Sequence, residues 1–290
     1  MKPGLYPKAT MAEYLAIKAF SSGLGQRILS QSPLHAWVES PWNPDRERSD
    51  SGTADIGTFA HAMLLEGGTD ALVICPFDDW RKNDAKAMRD DARTAGKLPI
   101  LQAKVPEVEA MVEAAEAFIA GSELDGLLTD GQAEQTIVFE ASGVLCKIRP
   151  DWLSSDHGVC LSYKTTAGSA QPDAWIRTQL PGYDLAVVLY EQGVRDAFPG
   201  TDPTLVHLVQ EQSFPFACSL VALSPAWYAM AESKLALALG TWKGCLGAGK
   251  WHSYTSRICY AEPPAYLMAK AEEQELEGAI ADPSILFEKP

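Results

Sequence analysis

Apolar residues recur at helical spacing through the first 120 or so positions and then switch to alternation. Residues 10–20 and 22–38 read as helices. The second is entered through Ser21-Ser22, carries Leu24, Ile28 and Leu29, and is interrupted by Pro33. Ser40-Pro41-Trp42-Asn43-Pro44-Asp45, with Arg46 to Asp50, forms a polar loop. From Thr53 to Glu66 the pattern is helical again, with Ile56, Phe59, Ala60, Met63 and Leu64 on one face. Residues 71–76 predict a short strand closed by Pro76. Residues 79–96 are charged, with Arg81, Lys82, Lys86, Arg89 and Arg93 near helical spacing and Gly96 at the end. Residues 104–121 predict a long amphipathic helix carrying Val108, Met111, Val112, Ala115, Phe118 and Ile119.

Glu134–Phe139, Val144–Arg149 and Gly158–Tyr163 then alternate. Turn signals Ala141-Ser142-Gly143 and Ser154-Ser155-Asp156 separate them, so they predict a three-strand antiparallel meander. A helix over 171–193, strands at 204–211 and 216–223, and a helix at 224–247 complete the order. That order predicts an α/β fold, a central mixed β-sheet flanked by helices with a helical N-terminal extension. The expected organisation is a single domain over 1–290: a mainly helical part to 125, a core over 126–260 and an acidic tail over 261–290.

Composition narrows the partners. The chain has 290 residues, 47% hydrophobic and 21% charged, enough apolar content for a sizeable core. A net charge of −14 excludes broad, non-specific coating of nucleic acid, but a site is local. Residues Glu262, Glu272, Glu273, Glu275, Glu277, Asp282 and Glu288 against Lys270 and Lys289 concentrate part of that charge in the tail. Among the basic residues of 79–96, the interleaved Asp84, Asp90 and Asp91 favour a solvated face over a phosphate grip. No apolar run reaches the roughly 18 residues of a membrane span, and Glu13 and Lys18 interrupt what would be a leader's apolar core. Six scattered cysteines lack metal-ligand spacing and predict buried, reduced thiols and an intracellular setting.

The candidate chemistry gathers at strand ends. Arg149-Pro150-Asp151 closes one strand and Tyr163-Lys164-Thr165-Thr166 another, which can set an acid and a lysine side by side at one sheet edge. The acid suits a hard divalent cation, and the lysine can orient a water beside a phosphate. A surface Asp–Lys pair is the plain alternative. His61 on an otherwise apolar helix, Glu134 and Tyr190 extend the set.

With these residues in order, the chain resembles the RecE-type (exonuclease VIII-like) branch of the PD-(D/E)XK nucleases, found mostly in phages and prophages. Ser22-Gly23-Leu24 to Ser32-Pro33-Leu34-His35, Gly57-Thr58-Phe59-Ala60-His61 to Leu65-Glu66, and Cys146-Lys147-Ile148-Arg149-Pro150-Asp151 carry the resemblance. So do Lys164-Thr165-Thr166, Gly182-Tyr183-Asp184-Leu185 to Tyr190, Gln210-Glu211 with Pro215, and Gly249-Lys250-Trp251. It implies His61 and Asp151 as metal ligands, Lys164 as the catalytic lysine, Glu134 and Tyr190 as supporting catalytic residues, and Mg2+ or Mn2+ as cofactor. It also implies double-stranded DNA ends as substrate, a single-strand annealing protein as partner, a homo-oligomer, and the cytoplasm of a bacterial host. Arg177, Trp152, Thr165 and Thr166 are the candidate DNA contacts.

Two positions depart from the family pattern. Ser162 stands where an acid is expected, and Ala186 where a glutamine precedes Tyr190 by four. Asp156, Glu134 or the Tyr163 carbonyl could complete a metal shell in place of the missing acid. Two functions follow: a metal-dependent exodeoxyribonuclease with a modified site, or a nuclease-fold protein that no longer cuts and instead binds DNA or a protein.

Overall fold

The change of hydrophobic period near residue 130 marks a real change of architecture. The computed structural model of the protein describes residues 1–46, 56–66 and 72–281. The expected helix start at Thr53–Asp55, the loop residues Glu47–Asp50, Ala71 of the expected strand, and Asp282, Glu288 and Lys289 of the tail lie outside the described residues.

The helical part opens with a short strand β1 (Gly4–Tyr6) and α1 (Met11–Ala16), which is capped by Thr10 and Glu13 reaching for each other's backbone. The expected helix over 22–38 divides into α2 (Ser22–Ser30) and α3 (Pro33–Glu39). Pro33 has no N–H to continue a ladder and instead starts a new helix behind a Ser32 cap. Next come α4 (Ile56–Leu65), β2 (Leu72–Cys75), α5 (Asn83–Thr94), β3 (Leu98–Leu101) and α6 (Val105–Ala120). Strands β2 and β3 form a small parallel pair. The charged residues of 79–96 pair locally, Arg81 with Asp79 before α5 and Arg89 with Asp90 on it, as a solvated face does.

The three-strand meander is corrected by the structure. β5 (Thr136–Ala141) and β6 (Val144–Ile148) do form an antiparallel hairpin, but it pairs with β1 in a three-stranded sheet. β4 (Gly131–Ala133), β7 (Trp152–Ser154) and β8 (Val159–Thr166) belong to a five-stranded mixed sheet, ordered β10-β9-β8-β7-β4. The chain leaves the hairpin through Arg149-Pro150-Asp151, where proline cannot extend the ladder. In the larger sheet β9 (Thr204–Glu211) runs parallel to β8, and β10 (Cys218–Val221) antiparallel to β9.

The expected helix over 171–193 is likewise two, α7 (Pro172–Thr178) and α8 (Asp184–Ala197). Pro181-Gly182 interrupts it with a single 3-10 turn. The long α9 (Pro225–Ala248) ends on Gly249 at φ 62°, the left-handed stop that glycine takes without strain.

Among the described residues two large cores fill the layers, with two smaller clusters beside them. Phe20, Ile137, Phe139, Ile148, Leu189 and Trp242 join α2, α8 and α9 to the hairpin sheet. Phe59, Met111, Leu161, Tyr163 and Leu208 join α4 and α6 to the inner face of the mixed sheet. Each such fully buried side chain stabilises the fold by roughly 1.5–3 kcal/mol. Buried Lys147 ties down the N-terminal segment, its Nζ donating to the carbonyls of Tyr14 at 2.7 Å and Ile17 at 3.0 Å. Of the six cysteines, none bridged, four are buried, Cys218 is half-buried and Cys259 exposed. Met1–Ser253 forms one compact unit, and a second unit begins at Tyr254 and contains α10 (Ala265–Ala281).

Candidate active site

The turn that leaves the hairpin delivers Asp151 to the edge of β8. Its Oδ2 accepts from the Tyr163 backbone N–H at 2.8 Å, the Ser162 hydroxyl at 3.2 Å and Lys164 Nζ at 3.4 Å. Lys164 Nζ also donates to the Tyr163 carbonyl at 3.3 Å and lies 5.7 Å from the centre of the Tyr183 ring. The side chains of Ser162 and Lys164 share one face of β8, because alternate residues do.

Helix α4 brings His61 to the same carboxylate. Gly57 makes the approach: a Cβ there would lie 2.0 Å from Thr165 Oγ1, so only glycine allows α4 this close to β8. His61 Nε2 stands 3.7 Å from Asp151 Oδ2 and 4.0 Å from Glu134 Oε1. Its Nδ1 lies 3.1 Å from Glu66 Oε1, and since a carboxylate only accepts, Nδ1 carries a proton. Glu134 adopts φ 57°, an uncommon left-handed conformation for a residue with a side chain. It is held there by an ion pair to Arg149, which also donates to Thr136 Oγ1 and the Ala9 carbonyl at 2.7 Å each.

The electrostatics follow from these contacts. Burial works against the charged form of His61, but hydrogen bonds to Asp151 and Glu66 overcome it and raise the imidazole to about 10. Burial also opposes ionisation of Asp151, and there the Lys164 charge and His61 prevail, holding the carboxyl at about 2. Burial raises Glu134 against the pull of Arg149. A cleft of 320 Å³ opens beside the cluster, lined by Gly57, His61, Glu66, Tyr163, Lys164 and Thr165 among others.

The donor set suits a hard divalent cation. His61, Glu66 and Glu134 each offer a ligand atom within 4.8 Å of the others, and Asp151 adds a further carboxylate next to His61. Position 162 contributes a hydroxyl that donates to Asp151, so the oxygen that would ligate as a carboxylate serves as a donor.

The remaining candidates are more dispersed. Tyr190 is half-buried on α8, its hydroxyl pushed well above its ordinary range by burial, with Tyr14, Asp151 and Glu134 adding to the rise. Ala186 sits one turn earlier. Thr165 lines the cleft and accepts from Gln212 Nε2 at 3.0 Å, while Thr166 caps its own turn at Gly168. Arg177 is exposed in the last turn of α7. The Trp152 indole is half-buried against the α4–α6 core and donates to the Leu127 carbonyl at 2.9 Å. Asp156 does not reach the cluster: its carboxylate accepts from Ser154 and from Gly158 N, closing its own turn.

Three residues near the cluster escape a reading of sequence patterns. Glu66 closes the quoted α4 motif but has no role until α4 is seen to end beside His61. Arg149 is visible only as a neighbour of Pro150-Asp151. His207 hides in the apolar alternation of β9, yet lies opposite Ser162.

The family described as PDDEXK-like domain of unknown function (DUF3799) matches residues 17–259, most of the chain. The chain belongs to this family. This PDDEXK-like chain is also similar in structure to a candidate exonuclease from Eubacterium rectale. The two share 14% identity over 91% of this chain and 98% of that one, with a TM-score of 0.54. At that identity the likeness shows the fold. A further structure, SSO0001, shares 10% identity over 79% of this chain and 88% of that one at a TM-score of 0.25, and adds nothing. No curated protein matches the chain. The PDDEXK-like fold is a nuclease fold that generally uses divalent metal ions. No described helix is long and apolar enough to cross a membrane.

Proposed function

We propose that this PDDEXK-like chain is a metal-dependent exodeoxyribonuclease of the RecE type, hydrolysing phosphodiester bonds at double-stranded DNA ends through a modified site. The observation that carries this reading is the convergence on one carboxylate oxygen of His61 Nε2 at 3.7 Å and Lys164 Nζ at 3.4 Å, with Glu134 at hand. A surface Asp–Lys pair has no reason to recruit a histidine from a separate helix through a glycine contact.

His61 and Asp151 would hold Mg2+ or Mn2+, with Glu134 beside them. When bound, the cation lowers the pKa of a water and stabilises charge developing on the phosphate. Lys164 places a positive ammonium at the same point, where it donates to the phosphate or orients the attacking water. Lys164 and His61 keep Asp151 ionised against its burial, and Glu66 keeps a proton on His61 Nδ1 so that Nε2 faces the acids. Tyr190 supports the acids from α8. Thr165 and Thr166 at the end of β8, Arg177 on α7 and Trp152 after Asp151 supply contacts to the DNA. The setting would be phage recombination in the cytoplasm of a bacterial host, with a single-strand annealing protein as partner and a homo-oligomer as the working form.

One observation favours the non-cutting alternative, a DNA- or protein-binding role. Ser162 already satisfies Asp151 with its hydroxyl, and a neutral oxygen is a poor substitute for a carboxylate on a hard cation. Incubation with linear duplex DNA in Mg2+ and in Mn2+ separates the two. Cutting that disappears in Lys164→Ala supports the nuclease; cutting that survives this change sinks the mechanism, and no cutting with either metal leaves the binding role.

A further inference from the structure

His207 is the most anomalous polar residue near the cluster. It is 1% exposed, and neither ring nitrogen has a hydrogen-bond partner among the described residues. A neutral imidazole carries one donor and one acceptor, and buried polar groups are almost always paired, so an unpaired one in a folded protein calls for a reason. Simple core filling gives none, because valine or leucine would fill a strand position without desolvating two nitrogens.

Its placement supplies the reason. His207 is the Cα partner of Ser162 across the parallel β8–β9 pair. Paired residues on neighbouring strands stand on the same face about 4.8 Å apart. That face is the one on which the Ser162 hydroxyl meets Asp151 and from which Lys164 reaches the same oxygen. The rings of Trp175 and Tyr183 flank the imidazole at 5.3 and 5.9 Å and exclude water from it. Tyr183 also lies under Lys164 Nζ, so one aromatic wall serves both residues.

We propose that His207 replaces the carboxylate missing at position 162, offering an imidazole nitrogen to the divalent cation held by His61 and Asp151. The proposal rests on the metal-centre reading above and adds a donor to it. It also predicts a change of preference. Exchanging a carboxylate for an imidazole moves a site away from Mg2+ and toward first-row transition ions such as Mn2+.

Calorimetric titration of the full chain with Mn2+ and Mg2+ tests this alongside its melting temperature without metal. His207→Leu is expected to weaken Mn2+ binding by about tenfold or more while leaving the metal-free melting temperature unchanged or higher, since an unpaired buried group has been removed. Adding Ser162→Asp to His207→Leu is expected to restore binding and to shift preference toward Mg2+. A residue with a purely structural role would leave Mn2+ affinity unchanged in a folded His207→Leu protein. His207→Gln repeats the test if the leucine variant does not fold. Unchanged Mn2+ affinity in both His207 variants, with binding lost in Asp151→Asn, overturns the role of His207 alone. Binding that is absent from the wild type, or indifferent to Asp151→Asn, overturns the metal centre and this inference with it.

Discussion

Gly57 sets how closely the histidine helix approaches β8, so Gly57→Ala is the most direct mechanical perturbation of the site. A Cβ at 57 would lie 2.0 Å from Thr165 Oγ1, 3.0 Å from Thr165 Cβ and 3.1 Å from Gln212 Nε2. Carbon contacts settle near 3.5 Å, so α4 must retreat by about 1.5 Å, or about 0.5 Å if the Thr165 hydroxyl swings clear. Overpacking of this kind costs about 1–3 kcal/mol, which lowers the melting temperature of a unit this size by about 2–4 °C per kcal/mol. The same retreat carries His61 away from Asp151, and a misplacement near 1 Å costs on the order of 100-fold in rate. Scanning calorimetry and Mn2+ titration would read both effects. Thr165→Ala on the Gly57→Ala background removes the hydroxyl and should recover part of each. A Gly57→Ala protein with wild-type melting and wild-type Mn2+ affinity would refute the claim that this contact positions the histidine.

Other outcomes follow from single contacts. Arg149→Met leaves Glu134 nearly buried without its cation and should destabilise the fold by about 3–5 kcal/mol in chemical denaturation; a loss under 1 kcal/mol would show that Glu134 finds another partner. Glu66→Ala removes the acceptor that holds the proton on His61 Nδ1, so Mn2+ affinity should fall about 10- to 100-fold with melting little changed. Lys147, held at about 8 mainly by burial and secondarily by Arg46, sits below the ordinary lysine value near 10.4. The unfolded chain therefore binds the extra proton between those values. Stability contributed by this residue is lowest below pH 8 and rises through about pH 10.4, by about 3 kcal/mol in all. The wild-type stability minus that of Lys147→Met should climb across that window, and a flat difference would refute the assignment.

Much of the fold was legible because strongly periodic segments leave little choice. The apolar faces of α4 and α6 and the alternation of β5, β6, β8 and β9 gave element type correctly, and with it the mixed α/β class. Pairing was less legible. Alternation says that a strand has two faces, not which neighbour it takes, so the sequence places the strand expected at Gly158–Tyr163 in a meander with the hairpin, although Pro150 sends the chain into a second sheet. Short strands such as Gly4–Tyr6 and Gly131–Ala133 carry too few residues for any period to show. In the site, His61, Asp151 and Lys164 stood out by motif. Glu66 and His207 did not, since each acquires meaning only through a partner distant in sequence or across a strand, and Gly57 reads as an ordinary helical residue until Thr165 is seen beside it.

The boundary at Pro150 also governs what the site depends on. His61 rides on one core, Arg149 steers Glu134 from the end of the hairpin packed on the other, and Asp151 follows two residues later. A chain with only one core formed would hold scattered donors and no assembled cluster. The site is therefore a property of both cores together, and neither half of the fold carries it alone.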